Sequence, residues 1–402
     1  MNKIFDFFLF LFPIIGLVAG LSLGITIPIF GLIILFKIRK NLIFNFQNLK
    51  LELLFFSWLF ISIFWSINPS KSATSFFIII STYILFIILI QNIETIKKNI
   101  LISEKRLLYS LFAAIAVFIF ELVTDGFISS YFRQTIQSKS DYQFHLYYLD
   151  RGCAFTALFA WVVIASLICT RNYVLSLITY FLVLIVLSFS DSFAGFLSFF
   201  ISGIVFILTQ YFPFKNSKIL SVTLIFSTLI FIVLIFKINP YKTSDEADFL
   251  PISAKHRLFI WSYSANKILE KPVSGWGHGA SRLFDTKDDE MIIYKNYHLH
   301  PLPTHPHNNI IQILLENGII GLILYLILIC KYLIIWGKTT EQQITNSLDK
   351  FKNIRFLRSV GYACFSTFFL ISMISFNMWQ SWWLCSYLWA GLMFKFFTHR
   401  IS

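Results

Sequence analysis

The chain has 402 residues, 57% of them hydrophobic and only 13% charged, with a mean hydropathy of +0.73. A soluble domain cannot bury that much apolar surface, which excludes a soluble enzyme or binding module and leaves a polytopic membrane protein. The formal net charge of +13 lies in short loops between apolar runs, so it reads as a topology signal and not as a nucleic-acid surface.

A helical crossing takes about 20 apolar residues. In chain order, twelve stretches qualify: 4–20, 21–36, 51–67, 73–91, 106–123, 152–170, 173–190, 192–212, 218–237, 308–336, 356–376 and 379–397. The fold class is therefore an all-α integral membrane protein, with residues 1–402 forming one polytopic domain. The first two stretches are short and share Pro13, Gly16, Gly20 and Gly24. They read as a tight hairpin or as one bent unit. The first run is too long for a signal-peptide core and lacks an A-x-A site, so it is expected to stay attached. Cys153, Cys169, Cys330, Cys364 and Cys385 lie in apolar segments without a C-x-x-C pair and read as packing residues.

Orientation follows from Lys and Arg. With a cytoplasmic N-terminus, the inside segments hold nineteen of them and the short outside loops hold only Lys71. Both termini are thus expected in the cytoplasm. Two long loops, 124–151 and 238–307, then face outside. The second contains the 255–271 segment, suited to a short amphipathic helix at the interface, and a Gly-rich turn over 272–282. The polar stretch 338–352 reads as a cytoplasmic connector.

The groups that can do chemistry gather in and after the 238–307 loop. Pro306 disfavours helix at the preceding residues, and Asn308 or Asn309 can cap the helix that follows. His307 is left at the mouth of that helix, beside N–H donors that favour an anion. Alone, a histidine at a helix start is an ordinary polar residue. Further down the helix come Glu316, Gly318 and Gly321. Upstream, Arg257 and Trp261 are four apart and share a helix face. Arg forks onto phosphate oxygens, and Trp offers a flat surface to a sugar or lipid, although both also anchor interfacial helices. Arg151 stands where an outside loop enters a span. Gly275 and Gly277 lack a Walker lysine and read as a tight turn. His298, His300, His305 and His307 alternate, but the spacing matches no zinc pattern, so no metal or other cofactor is expected.

Arg257-x-x-x-Trp261, Pro272-x-x-Gly275-x-Gly277 and His307-Asn308 opening a helix with Glu316-x-Gly318-x-x-Gly321 together resemble the O-antigen ligase and polymerase superfamily. The resemblance covers roughly residues 150–330. It implies a membrane glycosyltransferase of the bacterial inner membrane, with its site in the periplasm. The donor would be a glycan on undecaprenyl pyrophosphate and the acceptor a sugar hydroxyl of lipid A–core, with membrane lipids as the other partners. His307 would be catalytic. Arg151 and Arg257 would bind pyrophosphate, with Trp261, Gly275, Gly277, Asn308, Glu316, Gly318 and Gly321 in support. Many members carry Ser-Arg where this chain has Ser192-Phe193, so a third cation is not expected there. O-antigen polymerase, using the same site, is the alternative. A lipid-linked glycan transporter fits less well. The chain shows no convincing internal repeat, and its ionisable residues within or near spans are few: Glu121, Asp191, Glu316 and Lys331.

Overall fold

The computed structural model describes residues 2–100, 103–136, 143–211, 216–284, 291–341 and 348–401. The chain opens with α1 (Asn2–Ala19) and α2 (Leu23–Ile38), joined by a single 3-10 turn at Gly20–Ser22. Phe30 lies 5.4–5.7 Å from the rings of Phe5, Phe8 and Phe12, so the pair is a hairpin and not one bent helix. Then follow α3 (Lys50–Ser62), α4 (Pro69–Gln91), α5 (Ile93–Asn99), α6 (Glu104–Val123) and α7 (Phe127–Tyr131). The α4 start is set by Asn68, whose side chain accepts from the Lys71 N–H, and by Pro69 at the first helical position.

The middle of the chain contributes α8 (Asp150–Cys169), α9 (Tyr173–Ser188), α10 (Phe193–Tyr211) and α11 (Asn216–Lys237). The long loop carries α12 (Pro240–Glu246), α13 (Ile252–Glu270) and a small hairpin of β1 (Ile292–Tyr294) and β2 (Tyr297–Leu299). Last come α14 (Asn309–Glu341), α15 (Leu348–Ile374) and α16 (Ser381–Ile401). Residues 342–347 of the expected 338–352 connector lie outside the described residues.

Each of the twelve expected stretches contains a helix. Among the described residues, nine runs are long and apolar enough to cross a membrane. The difference from twelve has physical reasons. The first two helices form one continuous run over Phe5–Asn41, and α9 is short at 16 residues. The third, α16, has its hydropathy lowered by Trp, Ser and Tyr.

The axis of the molecule is α8. Nearly all of its span, 94%, is buried within the protein, against α1, α6, α9, α10, α15 and α16. Its small residues Gly152, Ala154, Ala157 and Ala160 allow this close approach. A second apolar core joins α3, α13 and α14. Cys153, Cys364 and Cys385 are buried in packing positions, and all five thiols are free.

The loops expected outside converge on one end, which we call the outer end. Gly20 rests on Arg151, Gly24 on Ser381 and Gly277 on Ser66. Orientation across the bilayer can be checked by labelling. Glu246 is well exposed on α12, and Lys40 is exposed at the opposite end. In cells with a permeabilised outer membrane, Glu246→Cys should react with a membrane-impermeant maleimide while Lys40→Cys stays protected. The reverse pattern would invert the topology.

Candidate active site

The site is built on a break in α14. Gly318 sits inside the helix at φ 64 and ψ −168, so the helix is interrupted there. The left-handed φ favours glycine, and space forbids a side chain as well: a Cβ at Gly318 would come within 2.1 Å of the Val273 carbonyl oxygen. The Gly-rich turn after α13 fills the break. Trp276 N–H donates to the Leu315 carbonyl at 2.9 Å, Gly277 N–H to Glu316 at 2.8 Å, and Ile319 N–H to Pro272 at 2.9 Å. Gly275, at φ +67, lies so close that a Cβ would meet the Glu316 carbonyl carbon at 2.4 Å. The two glycine motifs are therefore two halves of one interlock, not independent turns. Gly277 passes over Ser66 of the α3–α4 turn, and Gly321 lets the Trp58 indole approach α14.

Glu316, fully buried, ties this interlock together. Its carboxylate accepts from Gly279 N–H at 2.9 Å, Ser281 Oγ–H at 2.5 Å, Gln312 Nε2 at 3.0 Å and Trp379 Nε1 at 2.5 Å. Only an acceptor-only group with two oxygens satisfies so many converging donors. Asn317 is held in turn: its Nδ2 donates to Ser62 Oγ at 3.1 Å, and its carbonyl accepts from Trp58 Nε1 at 3.0 Å.

His307 stands at the other end of the same half-helix. Asn308 is the cap, its Oδ1 accepting from the N–H groups of Ile310 and Ile311 at 3.0 Å each. Those donors are therefore not free for an anion, and the helix mouth is a weaker anion site than its sequence implies. His307 itself has φ +52, a left-handed conformation that costs a non-glycine residue about 1–2 kcal/mol. Two contacts hold it there. Trp261 Nε1 donates to the Pro306 carbonyl at 2.9 Å. The His307 Nδ1 lies 2.7 Å from the Ser375 carbonyl oxygen in the α15–α16 loop. A carbonyl only accepts, so Nδ1 carries the hydrogen and Nε2 keeps its lone pair. Burial depresses the imidazole pKa to about 4; the Ser375 bond opposes this, and the charge of Arg257 adds to it. The ring is thus a neutral base near pH 7.

The two arginines lie on different elements, Arg257 on α13 and Arg151 at the outer end of α8, and both act electrostatically on Asp150. Arg257 acts electrostatically on His307 and is itself drawn by Asp150. Burial pulls its guanidinium below the ordinary arginine range. One Nη donates to the Ser253 carbonyl at 3.0 Å. The Nε atoms of Arg151 and Arg257 and the Oδ1 of Asp150 are buried with no hydrogen-bond partner among the described residues. Polar atoms buried without partners are costly unless a ligand meets them.

Trp261 departs from its expected use: its indole N–H is taken by Pro306, and its ring packs edge-on against Phe231. It positions the His307 loop. The other histidines do not converge on His307 as a group. His298 is exposed on β2. The His300 carbonyl accepts from His256 Nε2 at 2.8 Å. Only His305 is close, its ring 4.1 Å from that of His307, with burial depressing its pKa to about 3. Among the described residues no three His, Cys, Asp or Glu side chains are grouped as a metal ion would require. Two other ionisable residues named from the sequence have partners. Glu121 accepts from the backbone of Ile128 and Ser129, and Lys331 pairs with Glu52 at 2.7 Å.

Sequence reasoning missed Ser375, Trp379 and Ser62. Only Trp379 leaves a trace, as the first tryptophan of the aromatic run in the last outer loop.

The family model described as O-antigen ligase matches residues 176–326, from α9 to the first half of α14. A Rickettsia bellii protein, provisionally named a polysaccharide ligase, is 39% identical over 417 residues, covering 97% of this chain and 96% of its own. One from Rickettsia typhi, named in the same way, is 37% identical over 410 residues, covering 96% and 95%. A third, from Rickettsia prowazekii, is 36% identical over 410 residues, covering 96% and 95%. Similarity at this level along nearly the whole of each chain decides membership: the protein belongs to the O-antigen ligase family.

Proposed function

We propose that the protein moves a glycan from undecaprenyl pyrophosphate to a sugar hydroxyl of lipid A–core, at the periplasmic face of the bacterial inner membrane. The observation that carries this reading is His307. Its Nδ1–H is tied to Ser375, which leaves an Nε2 lone pair within the field of Arg257, while Arg151 shares Asp150 with Arg257. Nε2 takes the proton of the acceptor hydroxyl as its oxygen bonds to the anomeric carbon. The bond from that carbon to the pyrophosphate breaks, and the electron pair leaves on the pyrophosphate oxygen. Arg257 and Arg151 meet the charge that develops there. Each charged hydrogen bond contributes about 1.5–3 kcal/mol. The relatives' names support the ligase class, and the reaction calls on no nucleotide sugar and no metal.

Deleting the gene and running the lipopolysaccharide on a gel tests this. Loss of all O-antigen with lipid-linked polymer retained is the expected result. A core carrying a single repeat would replace this reading with a polymerase.

A further inference from the structure

Beside the Glu316 network, the outer end holds a cavity of about 640 Å³. That lies within the range of about 300–1,000 Å³ common for small-molecule sites. Its wall includes Lys71, Arg282, Asn377, Gln380, Trp379 and Trp382, and no acidic side chain lines it. Gly279 and Trp379 join it to the site described above, since both donate to Glu316. Asn377 is two residues from the Ser375 carbonyl that orients His307.

The wall is rich in donors: two cations and two amides stand among the hydroxyls of Thr74, Ser75 and Ser381 and apolar side chains. Asn377 Oδ1 accepts from Trp379 N–H at 2.7 Å, and Gln380 Oε1 from Trp382 Nε1 at 2.9 Å. Each amide oxygen thus has one of its two lone pairs occupied, and each amide keeps an NH₂ to offer a guest. Lys71 and Arg282 are donors by nature, both are exposed, and the charge of Arg282 reaches His305 beside the His307 ring. Lys71 is also the one basic residue in the short outer loops, against the charge asymmetry of the rest of the chain. A concave surface of cations and amide donors fits an anion rich in acceptors.

We propose that this cavity binds an anionic saccharide, a sugar phosphate or acidic sugar, carried by one of the two glycolipid substrates. This rests on the transferase reading, with pyrophosphate assigned to Arg151 and Arg257. A binding measurement separates the two ideas because it needs no turnover. Purified protein carrying Arg151→Ala and Arg257→Ala should bind glucose 1-phosphate in calorimetry and should not bind glucose. Adding Lys71→Ala and Arg282→Ala should weaken that binding at least tenfold, whereas Arg282→Lys should keep most of it. Unchanged affinity without Lys71 and Arg282, no binding at all, or equal binding of glucose would overturn the proposal. In the reconstituted reaction, Arg282→Ala should raise KM at least tenfold for one glycolipid and leave kcat within twofold. A rise for the acceptor places the anion there, and a rise for the donor places it on the transferred glycan. If neither KM moves, the cavity plays no part in substrate binding.

Discussion

Transfer should fall by about 10²–10⁴-fold when His307 becomes Ala, the usual contribution of a general base. Two controls separate chemistry from folding. His307→Asn tolerates the left-handed backbone at this position and still cannot accept a proton at neutral pH. His307→Gln keeps an N–H for the Ser375 carbonyl. Both should be as inactive as Ala while the lipid-linked donor still binds, because the arginines hold the pyrophosphate. The pH profile follows from the depressed imidazole. With a pKa of about 4, the ring is in its basic form throughout pH 6–8, so His307 should impose no fall in rate there. The rate should decline only as pH approaches 4, where the imidazole gains its proton. Near-normal turnover in His307→Gln, or a fall centred near the ordinary histidine pKa of about 6.5, would remove His307 as the base.

Changing Glu316 should act on the whole architecture. All its partners are donors, so Glu316→Gln turns one acceptor into an NH₂ facing other donors. A buried donor left without its acceptor costs about 1–3 kcal/mol. Thermal unfolding in detergent should therefore shift markedly downward, and transfer should be lost with it. Glu316→Asp, with a shorter reach, should fall between. A Glu316→Gln protein that melts like wild type would mean that the interlock does not depend on this carboxylate.

These expectations differ in how far the sequence alone supports them. The helices were legible because an apolar run is a local property, and His307, Asn308 and the two glycine motifs stood out as a pattern. What the pattern could not show is how its parts fit together. Gly275 and Gly318 look like separate turn signals until the loop is seen inside the helix break. Glu316 reads as an isolated membrane carboxylate, because all of its donors but Gln312 lie 35 to 63 residues away, in both directions along the chain. Trp261 reads as a sugar platform from its flat ring, because the Pro306 carbonyl that takes its indole N–H lies 45 residues away. Ser375 contributes a carbonyl, and no side-chain pattern marks a carbonyl.

The interlock also constrains how the protein is made. Trp58 and Ser62 find their partners in Asn317, 259 and 255 residues later. Helix α3 must therefore enter the bilayer long before the groups that complete its outer end exist. Contacts of such sequence separation close late. A nascent chain halted before α14 would hold Trp58 and Ser62 in place with nothing to receive them from that helix. The last third of translation thus supplies both the base and the keystone that holds α3 against the outer loop, so a half-synthesised chain in the membrane has no means of acting on a glycolipid.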